Sequence, residues 1–163
     1  MEKYKVLQVC YDFENEPPYF DELSCTSAVK SEAEVCMYAC VIDELECLNG
    51  INADNTFPER RFIASMQDET YDVVVWAWDG PDYRPVSCYK VMSIDELLEF
   101  FNAKLRSIHG QNITVQIHSY EEDDGSIFFY YTSVKYGDSN AYKTASEAYD
   151  EANTYLYGVG ELW

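Results

Sequence analysis

At 163 residues with 47% apolar side chains, the chain is long enough to bury a core and too apolar to be disordered. Its 30 acidic residues against 11 basic ones leave a formal charge of −19, which excludes nucleic acid and an anionic membrane face as direct partners. The acids form no tail: 11 fall in residues 1–50, 10 in 51–100 and 9 in 101–163, so the folded body itself is negative and favours a basic protein.

From the start of the chain, "MEKYKVLQVCYDF" alternates between Tyr4 and Phe13 and predicts a strand. It lacks the apolar run of a secretion signal, and no segment reaches the ~18 apolar residues of a membrane span, so a cytoplasmic protein is expected. Pro17-Pro18 marks a turn, and a second strand is expected around Leu23–Val29. Ser31 and Glu34 fit a capping box that opens a helix running to about Leu48. That helix is apolar around most of its circumference and is expected to be the most buried. Its Cys36, Cys40 and Cys47 read as small buried apolar residues, and all six cysteines are expected to be reduced.

In the middle of the chain, Arg61–Met66, Tyr71–Trp78 and Val86–Val91 read as strands. Both faces of "VVVWAW" are apolar, which predicts a strand covered on two sides. The loop Asp79-Gly80-Pro81-Asp82-Tyr83-Arg84-Pro85, stiffened by its prolines, sets Asp79 and Asp82 beside Tyr83 and is a candidate contact. A second capping box, Ser93 with Glu96, opens a helix whose Ile94, Leu97, Leu98, Phe101, Leu105 and Ile108 form one stripe, ended by Gly110.

Next, Ile113–Tyr120 and Ile127–Tyr136 read as a hairpin about Asp124-Gly125. A two-residue turn there pairs Asp123 with Ser126. The core face then carries Ile113, Val115, Ile117, Phe128, Tyr130, Val134 and Tyr136. The outer face carries His118 and Tyr120 with Phe129 and Tyr131, next to Glu121, Glu122, Asp123 and Asp124. Aromatic anchors bordered by carboxylates are the composition of a hot spot for a basic partner. A third box, Thr144 with Glu147, opens a last helix along Ala145, Ala148, Tyr149, Ala152, Tyr155 and Leu156, with Gly158 as its stop.

The pattern is ββα, βββα, ββα. It predicts one α+β domain over residues 1–163: a largely antiparallel sheet with three helices on one face, and possible ββα repeats.

The inventory for chemistry is thin. His109 reads as a cap at a helix C-terminus and His118 as a surface residue, and no Cys/His spacing suggests zinc. With Gly125 as the sixth residue of a calcium loop, the twelfth would be Tyr131 rather than Glu, so "EEDDG" is no EF-hand. No metal, cofactor or enzymatic site is expected. In composition and size the chain is similar to the small acidic inhibitors that phages and mobile elements make against restriction and CRISPR nucleases. That similarity implies a nucleic-acid mimic that blocks a basic nucleic-acid-binding enzyme. An immunity or antitoxin protein for a basic nuclease uses the same physics. A small ligand-binding domain or enzyme with incidental acidity is the alternative from another class.

Overall fold

The computed structural model describes residues 2–11, 18–53, 61–66, 70–78 and 82–159. The α+β expectation holds. The chain gathers into two compact units, Met1–Met92 and Ser93–Trp163, each with its own sheet.

The first unit contains β1 (Tyr4–Cys10), β2 (Tyr19–Ser27), α1 (Lys30–Ala53), β3 (Arg61–Met66), β4 (Val73–Trp78) and β5 (Tyr83–Ser93, which ends at the unit boundary). Its five strands lie in the order β2-β1-β5-β4-β3. Alternate residues of β1, β4 and β5 (Val6, Val73, Val75, Tyr89 and Val91) meet Ala33, Met37 and Val41 of α1 in one core. Val74 and Cys88, on the opposite face, are also buried, so the strand expected to be covered on two sides is so covered.

Two polar clusters tie this unit together. Glu44 of α1 accepts a hydrogen bond from Ser87 Oγ at 2.8 Å and a short one from the Tyr89 hydroxyl, which in turn accepts from Gln8 Nε2 at 3.0 Å. Burial and the neighbouring Glu44 carboxylate push the Tyr89 phenol well above its ordinary pKa, so it remains a donor. Between β1 and β2, Lys5 Nζ lies 3.1 Å from Glu22 Oε1, and both side chains are buried.

Four expectations for α1 are corrected. The helix begins at Lys30 rather than at a Ser31 cap. Its start is held instead by Ser27, whose Oγ accepts from Val29 N–H at 3.0 Å and donates to Glu32 at 2.5 Å. The cysteines are not all reduced: the antiparallel return of β2 into α1 brings Cys25 beside Cys36, and the two form a disulfide. Cys47 is exposed rather than buried. Nor is α1 buried all round, since Val35 is 69% and Ile42 55% exposed. A helix that is apolar on every face packs only the face that the sheet can reach.

The second unit contains α2 (Ile94–His109), β6 (Gln116–Glu121), β7 (Ile127–Ser133), β8 (Gly137–Asp138) and α3 (Ala145–Val159). Both helix starts follow their capping boxes. Ser93 Oγ accepts from Glu96 N–H at 3.2 Å, and Thr144 Oγ1 from Glu147 N–H at 3.1 Å. Leu97, Phe101 and Leu105 carry the predicted stripe into the core, while Ile108, expected on the same stripe, is exposed. Gly110 ends α2 at φ +110°, its N–H on Arg106 O at 2.9 Å. His109, expected as a cap, is instead buried, where it hydrogen-bonds Asn153 of α3 and meets the Tyr157 ring edge-on. Gly158 does not stop α3, which includes it.

In both units an asparagine from a helix closes the outer edge of a strand. Asn49 of α1 exchanges two hydrogen bonds of 3.3 Å with the backbone of Phe62 in β3. Asn102 of α2 is buried and does the same to Ile117 in β6, donating to its C=O at 3.1 Å and accepting from its N–H at 2.8 Å. A side-chain amide carries the donor and acceptor that a further strand would bring.

Two outcomes follow from these contacts. Asn102→Ala strands a buried N–H and C=O of Ile117 and is expected to lower stability by about 1–3 kcal/mol in urea titration. Reduction, or Cys25→Ser with Cys36→Ser, reopens a short loop in the unfolded chain and is expected to cost up to about 3 kcal/mol in the same measurement.

Candidate functional site

The hairpin of β6 and β7 has the turn expected by composition but not its register. Glu122 N–H donates to Ser126 O at 2.8 Å and Gly125 N–H to Glu122 O at 2.9 Å, while Ser126 N–H is held by Asp124 Oδ1 at 2.9 Å. The loop is therefore three residues, Asp123-Asp124-Gly125, with Gly125 at φ +88°. A type I turn closed by a left-handed glycine makes such a loop, and Asp-Gly suits it as well as the two-residue turn.

The pairs are Ile117 with Tyr131, Ser119 with Phe129 and Tyr120 with Phe128. This is one residue away from the expected register, and one residue exchanges the faces of a strand. The faces of β6 stand as expected; those of β7 are inverted. Phe129, expected outside, is fully buried at 0% exposure together with Ile117. Tyr131 turns to the same side and lies 5.7 Å from the Tyr155 ring of α3, with its phenol pushed up by burial and by Tyr142, Glu151 and Tyr155. Val134 and Tyr136, expected in the core, lie in a turn and are exposed.

The outer face instead holds Phe128 and Tyr130 beside His118 and Tyr120. Tyr120 is 40% exposed and the other three are half-buried. Their rings form a ladder: Tyr120 stacks on Phe128 at 5.6 Å, His118 on Tyr130 at 5.3 Å, and Tyr120 lies 5.9 Å from Tyr130. His118 Nε2 is also 2.9 Å from Thr132 Oγ1. The ladder runs to the turn, where Glu121, Glu122, Asp123 and Asp124 are all exposed.

Of the residues singled out in the sequence, Tyr120 lies on this face and Glu122, Asp123 and Asp124 border it at the turn, while Glu121, also exposed, alternates to the other face of β6. Phe129 and Tyr131 leave the outer face, Phe128 and Tyr130 take their place, and His118 keeps the outer position expected of it. Periodicity in "IFFYY" has no means of finding that exchange, because every position is large and aromatic or apolar.

The second candidate lies in the first unit. Asp79 is outside the described residues. Asp82 is exposed, and Tyr83 is exposed and packs its ring 4.8 Å from Trp78. Tyr83, Arg84 and Pro85 are not loop but the first residues of β5, paired with Trp78, Ala77 and Trp76. No group of three or more His, Cys, Asp or Glu side chains suited to a metal ion occurs among the described residues.

What the hairpin surface can do is bind. Flat aromatic faces accept guanidinium groups by stacking, and the carboxylates beside them accept their N–H groups in pairs. The two faces of β7 are separable by mutation. Phe129→Ala is expected to cost about 3–5 kcal/mol of unfolding free energy, and Phe128→Ala about 1 kcal/mol or less, in matched urea titrations. No protein-family model, no curated protein and no solved structure matches the chain.

Proposed function

We propose that the protein is an acidic inhibitor of the nucleic-acid-mimic type, which binds and blocks a basic nucleic-acid-binding enzyme of the restriction or CRISPR nuclease kind. The observation that carries this reading is the aromatic ladder of His118, Tyr120, Phe128 and Tyr130 beside four exposed acids, on a body of charge −19. A groove built to attract a phosphate backbone attracts this surface through the same long-range field. Stacking of the groove's arginines on the ladder then supplies short-range affinity that charge alone does not.

On this reading the protein works in the cytoplasm, where such enzymes act. Among the described residues no helix is long and apolar enough to cross a membrane. The Cys25–Cys36 bond would there meet cellular reductants, so inhibition is to be measured with and without a thiol.

The test is a cleavage assay against a panel of restriction and CRISPR nucleases, with binding followed as salt rises. One or more enzymes should be inhibited competitively with DNA, with affinity that falls as salt increases. Joint replacement of Glu121, Glu122, Asp123 and Asp124 by lysine should leave folding intact and weaken that complex roughly tenfold or more. Absence of binding to every basic enzyme at low salt would overturn the reading. An inhibited target that proves to be a toxin nuclease encoded next to this chain would make the protein an immunity factor.

A further inference from the structure

A second apolar surface lies in the other unit, on α1. Val35, Tyr38, Ala39 and Ile42 recur at i, i+3, i+4 and i+7, the spacing of a helix face made to pack. All four are exposed, Val35 at 69% and Ile42 at 55%. The opposite face of α1, through Ala33, Met37 and Val41, is the one that packs on the sheet. The stripe spans about 10 Å along the helix, two turns.

The surroundings of the stripe select its occupant. Glu32, Asp43 and Glu46 are exposed around it, and Glu34 is half-buried at its margin. Lys30 is the one basic residue in the sequence of α1. A second copy of the chain would bring the same carboxylates against these, and two bodies of charge −19 would repel one another. An anionic lipid surface is repelled for the same reason. We infer that the stripe of α1 docks an amphipathic helix of a protein partner, one whose apolar face is flanked by lysine or arginine. The partner's apolar residues fill the stripe at i, i+3 or i+4 and i+7, and its cations reach Glu32, Asp43 and Glu46. This inference is independent of the hairpin and of the enzyme that the hairpin is proposed to block.

The test uses two synthetic peptides of equal leucine and lysine content, about 15 residues long. In one the leucines form a single helical face; in the other their order is scrambled. Binding is measured by fluorescence anisotropy at moderate salt, to the native protein and to a variant carrying Val35→Ser and Ile42→Ser. Both positions are exposed, so the variant is expected to keep its circular dichroism spectrum. The striped peptide should bind the native protein at least tenfold more tightly than the scrambled one and gain helical signal on binding. The double variant should lose that advantage and bind both peptides alike. Lysine replacement of the four hairpin acids should leave the advantage in place. Equal binding of the two peptides by the native protein, or an advantage that survives in the double variant, would overturn the proposal. So would a native dimer in sedimentation that the variant abolishes, which would make a second copy the occupant.

Discussion

The side chain of Phe129 is fully enclosed, and its own N–H and C=O exchange hydrogen bonds of 2.8 and 2.7 Å with Tyr142. Ring and backbone are thus fixed together, and the rest of the second unit is ordered around them. With Phe129 inside, Tyr131 must also turn inward, to Tyr155, and Phe128 and Tyr130 must turn outward. The three-residue turn follows from the same choice, because Gly125 tolerates the positive φ that closes it. The outward ladder is therefore a consequence of where the core is filled. A sheet that buries one aromatic row displays the other.

The two units solve the problem of the open strand edge with the same chemistry. An edge strand presents alternate N–H and C=O groups to whatever comes next, and a free edge invites pairing with another chain. Asn49 at β3 and Asn102 at β6 each supply one acceptor and one donor from a packed helix. The amide fixes the helix to the strand and fills one pairing position of the edge. In the second unit Asn102 holds Ile117, so it also anchors β6, the strand that fixes the register of Phe129.

On the proposed reading, charge and apolar surface divide the labour of recognition. Glu22 and Glu44 are taken into the first unit's own network by Lys5, Ser87 and Tyr89. The acids of the hairpin turn and those around the α1 stripe lie at the surface. Long-range attraction from such a body is diffuse and weakens in salt. Specific docking needs desolvated contact, and each unit offers one apolar or aromatic row for it beside carboxylates: the ladder of β6 and β7, and the stripe of α1.

The sequence by itself determined the element types, the short β8 excepted, and some of their limits. Capping hydroxyls at Ser93 and Thr144, glycines at positions 110 and 125, and the Leu97–Phe101–Leu105 stripe act through neighbours a few residues away, so they are legible locally. The net charge and the position of the four turn acids are equally local facts. Which face of β7 points inward was not legible, since "IFFYY" offers an apolar side chain to either side and Asp-Gly fits two turn lengths. That choice fell to the burial of Phe129 and its pairing with Tyr142, 13 residues on. The Cys25–Cys36 bond and the bare stripe of α1 likewise depend on how β2 returns to the helix and which face of the helix meets the sheet. Contacts between distant segments decide such matters, and residue type alone does not encode them.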